Sequence, residues 1–157
     1  MLKVEKKQEV EATFLTLSGV VDERIEFDRL LGPLTGLVKI NLRRIDRINS
    51  VGVKNWVRYF NELSQKGVEL VFEECSPQIV EQINLVLNFI CGGTVASILV
   101  PFNCSQCHSA FVVSFSLEEL NRIQGEVPEP PCPKCNGKTS FDDIEEEYLA
   151  FMDRRKA

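Results

Sequence analysis

The sequence predicts an α/β fold, a mostly parallel sheet packed with helices, followed by a small metal-held appendage. Three observations carry this. Strand-like and helix-like segments alternate up to about residue 100, as in chains that build parallel sheets. Two Cys-x2-Cys pairs, Cys104/Cys107 and Cys132/Cys135, follow that alternation. The composition, 44% hydrophobic and 26% charged over 157 residues, supplies a core and excludes disorder throughout.

The elements follow in order. Ala12 to Gly19 (ATFLTLSG) alternates apolar and polar residues, the period of a half-buried strand. Asp22 is placed to cap a short helical run from Glu23 to Leu31, which Gly32-Pro33 stops. Leu37 to Leu42 (LVKINL) reads as a strand, with Arg43, Arg44 and Arg47 in a loop after it. Asn49 or Ser50 caps a helix reaching about Lys66. Its residues Val53, Trp56, Val57, Phe60 and Leu63 share one face, which puts Trp56 in the core. Gly67 ends it. Val68 to Phe72 is the next strand. Ser76 and Pro77 open a helix with the stripe Ile79, Ile83, Val86, Leu87 and Ile90, closed by Cys91-Gly92-Gly93. Thr94 to Phe102 (TVASILVPF) reads as one buried strand. Such alternation implies parallel strands joined by right-handed crossovers.

Two domains are expected, residues 1–102 and 103–157. In the second, Ser109 to Phe115 is strand-like, Ser116 with Glu119 forms a capping box, and Gly125 to Pro131 (GEVPEPP) is an extended loop. An amphipathic helix from about Asp142 to Arg155 would dock through Tyr148, Phe151 and Met152. Its acids lie at the start and Arg154, Arg155 and Lys156 at the end, as the helix dipole favours.

The four paired cysteines, Cys104, Cys107, Cys132 and Cys135, have the spacing of a zinc ribbon. Tetrahedral Zn2+ takes four thiolates, and each tight Cys-x2-Cys turn delivers two. A site closed by four thiolates leaves no position for water and is structural. Two alternatives stand beside it, apart from a thioredoxin-like redox role, which is weak because neither pair opens a helix directly after the first strand of a βαβ unit. One is four thiols without metal. The other is c-type haem, because Cys104-Ser105-Gln106-Cys107-His108 spells an attachment motif. Haem leaves the second pair unexplained and normally follows export. His108 then reads as a neighbour of the zinc or a substitute ligand. Cys75 and Cys91 stand alone and fit the core.

Charge and motifs exclude several classes. A net charge of −5 argues against a nucleic-acid binder, and Glu118, Glu119, Glu126 and Glu129 deny the ribbon a basic footprint. No apolar run reaches the ~18 residues of a membrane span. The start, MLKVEKKQEVEATF, has charges with no apolar stretch behind them, so a cytoplasmic protein with reduced thiols is expected. No phosphate-binding glycine loop or Gly-x-Ser-x-Gly elbow occurs, and a single histidine leaves little for acid–base chemistry, so no enzyme is expected.

Three stretches carry a family resemblance: LSGVVDE (Leu17–Glu23), VKINLRRIDRINSVGVKNW (Val38–Trp56) and KGVELVFEECSPQIVEQI (Lys66–Ile83). By their order and spacing, Phe14 to about Phe102 resembles a STAS domain, the fold of bacterial anti-sigma factor antagonists. The resemblance implies a regulatory signalling module whose partner is an anti-sigma, serine-kinase-type protein. It also implies phosphorylation of a serine before the turn glycine, which places a dianion on the interface. Here Asn49-Ser50-Val51-Gly52 stands where the family has Asp-Ser-Ser-Gly, and Val51 replaces the usual acceptor. Ser50 remains as a candidate phosphosite, or as a helix cap. The implied partner surface is Asn49, Ser50, Val51, Gly52, Lys54, Asn55 and Arg58, with the three arginines before it supplying positive charge. A second reading is a homo-oligomeric scaffold or a module sensing a small ligand or anion at the turn. A third, weaker one is nucleic-acid contact by the ribbon.

Overall fold

The first strand, β1 (Lys3–Gln8), lies in the charged N-terminal stretch, where a sequence reading finds little signal. Leu2 is buried and Val4 half-buried, and the other residues face water. The structure, a computed structural model, describes residues 1–152. β2 (Thr13–Val21) buries Leu15, Leu17 and Val21, and α1 (Phe27–Leu31) starts later than Glu23. Asp22 explains the delay: its carboxylate accepts from the Arg24 N–H and pairs with the Arg24 guanidinium, holding a turn ahead of the helix. Lys6 Nζ donates to the Leu31 and Pro33 carbonyls, tying β1 to the end of α1.

β3 (Leu37–Ile48) is twice the expected length. The segment carrying Arg43, Arg44 and Arg47 is strand, because β2 also continues and pairs with it up to Val21↔Ile48 across two bulges. Ile45, buried, anchors that extension. α2 (Ser50–Gln65) buries Trp56, Tyr59, Phe60 and Leu63 on one face. β4 (Glu69–Glu73) follows. α3 (Pro77–Leu85) ends before the predicted stripe does. Val86 leaves the helix, Asn88 and Cys91 turn left-handed, and Leu87 is exposed while Phe89 is buried. The unwinding delivers Phe89 beneath Trp56, their rings 5.1 Å apart and nearly parallel, with Trp56 Nε1–H donating to the Phe89 carbonyl at 3.2 Å.

The predicted strand 94–102 divides into β5 (Thr94–Val95) and β6 (Ser97–Cys104). β5 completes a five-stranded sheet in the order β1-β2-β3-β4-β5, parallel except for β1 against β2. β6 leaves it after a bridge between Cys75 and Ile98. It then becomes the centre of a second, antiparallel sheet, β7-β6-β8, with β7 (Ala110–Ser116) and β8 (Thr139–Phe141). α4 (Leu117–Arg122) has the expected capping box between Ser116 and Glu119. β6 runs through the expected 102/103 boundary. One apolar cluster takes in Leu15, Trp56 and Phe72 together with Phe102, Leu120 and Tyr148.

The expected helix over 142–155 appears as α5 (Glu145–Tyr148) and a 3-10 turn, Ala150–Met152. The Asn84 side chain of α3 interrupts it. Its amide donates to the Tyr148 carbonyl and accepts from the Phe151 N–H, groups that a longer helix would use itself. Tyr148 docks as expected, buried, with its hydroxyl donating to the Leu99 carbonyl. Arg154, Arg155 and Lys156 lie outside the described residues. No helix among the described residues is long and apolar enough to cross a membrane.

Candidate metal centre and the turn at Asn49

The two cysteine pairs build the same local structure. In the first, Cys104 N–H donates to Ser109 O, His108 N–H donates to Cys104 O, and His108 is left-handed. In the second, Cys132 N–H donates to Gly137 O, Asn136 N–H donates to Cys132 O, and Asn136 is left-handed. Each knuckle also points main-chain amides at its leading sulfur: Gln106 and Cys107 at Cys104, Lys134 at Cys132, all at 3.4 Å. Such amides favour a thiolate. Ser105 joins the knuckles through its N–H and hydroxyl, both donating to Lys138 O.

The four sulfurs lie within 4.8 Å of one another. Two approaches run between knuckles, 3.4 Å for Cys104–Cys135 and 3.6 Å for Cys107–Cys132. A disulfide bond is about 2.05 Å long, and all six cysteines are free. A tetrahedral site with ~2.3 Å metal–sulfur bonds has sulfurs roughly 3.8 Å apart. The quartet has that size, so the four cysteines can hold a metal ion. Cys104 and Cys132 are buried, Cys107 and Cys135 exposed. Hydrogen bonding with Ser109 holds the Cys107 thiol down at about 6, and the Cys107 amide lowers that of Cys104. The Cys104 sulfur beside it pushes Cys135 up to about 12. A cation among the four sulfurs would let them all bind as thiolates, the role a metal ion takes.

His108 is exposed and not among the four converging groups. Convergence of both pairs favours one shared site over haem attachment at 104–108. Cys75 and Cys91 are buried, as expected, and burial pushes their thiols up to about 12 and about 11.

At the turn, Asn49 is the cap. Its Oδ1 accepts from the Gly52 N–H at 2.8 Å, and its Nδ2 donates to Glu23 at 2.8 Å. The second bond holds the Glu23 carboxyl below its usual range. Ser50 is the first helical residue and is exposed, so the capping bond is not its own. Val51, Lys54 and Arg58 are exposed, Asn55 is half-buried, and Gly52 is buried. Sequence separation hid the Glu23–Asn49 contact; no local signal reports it. Of the three arginines, Arg43 pairs with Glu74 at 2.9 Å, while Arg44 and Arg47 lie in β3 opposite Ser18 and Val20. Next to the turn a cleft of about 410 Å³ is bounded by Asp22, Glu23, Arg47, Asn49, Gln78 and Glu81. Three carboxylates against one guanidinium give it no preference for an anion.

Gly52 fixes the seat of α2. A Cβ there would lie 2.4 Å from the Val21 carbonyl oxygen, which is main chain and cannot swing aside. Gly52→Ala is expected to cost about 1–3 kcal/mol through forced backbone shifts. Urea denaturation measures it, and a variant as stable as the parent would show that α2 shifts freely on β2.

No family model matches the chain, and no curated protein does either.

Proposed function

We infer that the chain is a non-enzymatic regulatory module of the STAS type, with its C-terminal third held by a structural zinc ion on Cys104, Cys107, Cys132 and Cys135. It binds a protein partner through Asn49–Val53 and the exposed face of α2, Lys54, Asn55 and Arg58 included. The partner class is an acidic regulator of the anti-sigma, serine-kinase type. Ser50 is the candidate phosphosite, and a phosphate there would add negative charge beside Glu23 and oppose docking. A reducing compartment such as the cytoplasm keeps the thiolates free for zinc.

The observation that carries this reading is the rigidity of the turn. Asn49 is fixed by two side-chain bonds and Gly52 is wedged on Val21, so Ser50 and Val51 are presented on a preformed platform. Preformed surfaces bind with little ordering cost. For zinc, the support is the size of the sulfur quartet and its closed, all-thiolate chemistry.

The experiment is capture of a partner on immobilised full-length protein, followed by its binding to Val51→Glu and Lys54→Glu. The expected result is retention by the parent chain and at least a tenfold weaker complex with each variant, at unchanged metal content and melting temperature. A partner indifferent to both substitutions, or no partner at all, overturns the reading.

A further inference from the structure

Among the described residues the two sheets present four edge strands, and three are guarded. β1 carries Lys3, Glu5, Lys6 and Lys7, β5 has two residues and β8 three. Charge and shortness are how sheets discourage pairing at an edge. β7 has neither. Its seven residues, Ala-Phe-Val-Val-Ser-Phe-Ser, include no charge, proline or glycine, and none is buried.

The register shows which main-chain groups of β7 face outward. Cys104 N–H donates to Ser109 O and Leu117 N–H to Ala96 O, and both pairs continue the β6–β7 register. Bonded and non-bonded pairs alternate in an antiparallel ladder. Phe111, Val113 and Phe115 therefore bond to β6, and the N–H and C=O groups of Ala110, Val112 and Ser114 point away from it. The other side of β6 follows the same alternation, with Ser105 N–H on Lys138 O and Asp142 N–H on Pro101 O towards β8. Main-chain bonds outside the ladders include none from Ala110, Val112 or Ser114.

We propose that β7 is a homodimer interface, on which a second copy of this chain pairs antiparallel and joins two three-stranded sheets into one. The strand is self-complementary about a two-fold axis at Val113. Val113 then faces its own copy, Phe111 faces Phe115 of the second chain, and Val112 exchanges main-chain hydrogen bonds with Ser114. Aromatic and β-branched cross-strand pairs are the ones that stabilise sheets. Phe111, Val113 and Phe115 are half-exposed and packed against the buried cluster, so pairing carries that cluster across the axis. Each chain has a net charge of −5, but β7 itself contributes no charged side chain, and the Glu74 carboxylate that reaches Ser114 is paired with Arg43. Isologous pairing also closes, leaving no free apolar edge for further growth.

The test is the mass of the metal-loaded full chain in solution, by light scattering and sedimentation over a concentration series. The expected result is twice the 17.8 kDa of one chain. Val112→Pro removes an outward donor without touching the β6 ladder and is expected to give the monomer. Val112→Lys keeps the donor and adds the kind of charge β1 carries, so it reaches the same end should the proline misfold. Amide exchange gives a second readout: Val112 and Ser114 N–H are protected in the dimer and lose protection at least tenfold on dilution to monomer. A parent chain that stays monomeric at every concentration overturns the proposal. So does a dimer that survives both substitutions with its metal content intact.

Discussion

Cys132→Ser is expected to drop zinc from about one ion per chain to near zero and to release the C-terminal third to proteases. Cys132 is buried, receives the Lys134 amide and lies 3.6 Å from Cys107. Its loss leaves three thiolates, a buried hydroxyl and two knuckles with nothing between them. The elements around the site are short: seven residues in β7, six in α4, three in β8 and four in α5. Structural zinc in small peptides supplies on the order of 10–16 kcal/mol of apparent binding energy at neutral pH, and that energy is folding energy. The parallel sheet holds the larger part of the shared core, Leu15, Leu17, Val38, Ile40 and Phe60 included, and is expected to persist. Elemental analysis and limited proteolysis, with cleavage at residues 125–131, read the result. A strong chelator should reproduce it on the parent chain. A variant that keeps stoichiometric zinc and full protease resistance would remove Cys132 from the site.

Trp56→Ala is expected to cost about 3–5 kcal/mol, the range for deleting a fully buried aromatic ring. The indole is wholly buried, with Phe60 at 4.6 Å, Phe89 stacked at 5.1 Å, and Phe27 and Phe72 at 6.0 Å. It also supplies the stronger hydrogen bond to the Phe89 carbonyl, which would be left with only the weak Cys91 thiol donor at 3.6 Å. Against the ~5–15 kcal/mol of a typical domain this loss is a large fraction. Trp56→Phe keeps most of the packing and loses the bond, so its cost should be the smaller. Trp56 is the only tryptophan, so the unfolding curve must come from circular dichroism. A loss under 1 kcal/mol for the alanine variant would mean that the aromatic cluster collapses into the gap.

What the sequence made legible follows from where its signals are local. β2, α2 and β4 were readable because alternation and helical spacing are written in adjacent residues. β1 was not, since only Leu2 and Val4 carry its inward face among charges. The division of 94–104 was hidden because both halves are equally apolar; Ala96 marks the step, and only the partners on either side distinguish the sheets. α3 and α5 were overextended for a tertiary reason, Phe89 being drawn under Trp56 and Asn84 holding the Tyr148 and Phe151 main chain. At the metal centre, spacing alone named all four sulfurs. It did not show that sulfurs of different knuckles approach to 3.4 and 3.6 Å, because that depends on how β6 and β8 meet. At the turn, Asn49 was one of two readable caps, and its bond to Glu23 spans a gap that no periodicity crosses.

The two-sheet path of β6 sets a problem of timing. As the ribosome delivers the chain, every strand of the parallel sheet is out before β6 has either of its neighbours. SILVPFNC then waits for β7 on one side and β8 on the other, held near its start by the Cys75 bonds to Ser97 O and the Leu99 N–H. At roughly 5–20 residues per second, elongation from residue 104 to residue 141 takes a few seconds. For that interval the newborn protein has a finished first half and a sticky, half-dressed strand, and the second cysteine pair arrives only near its end.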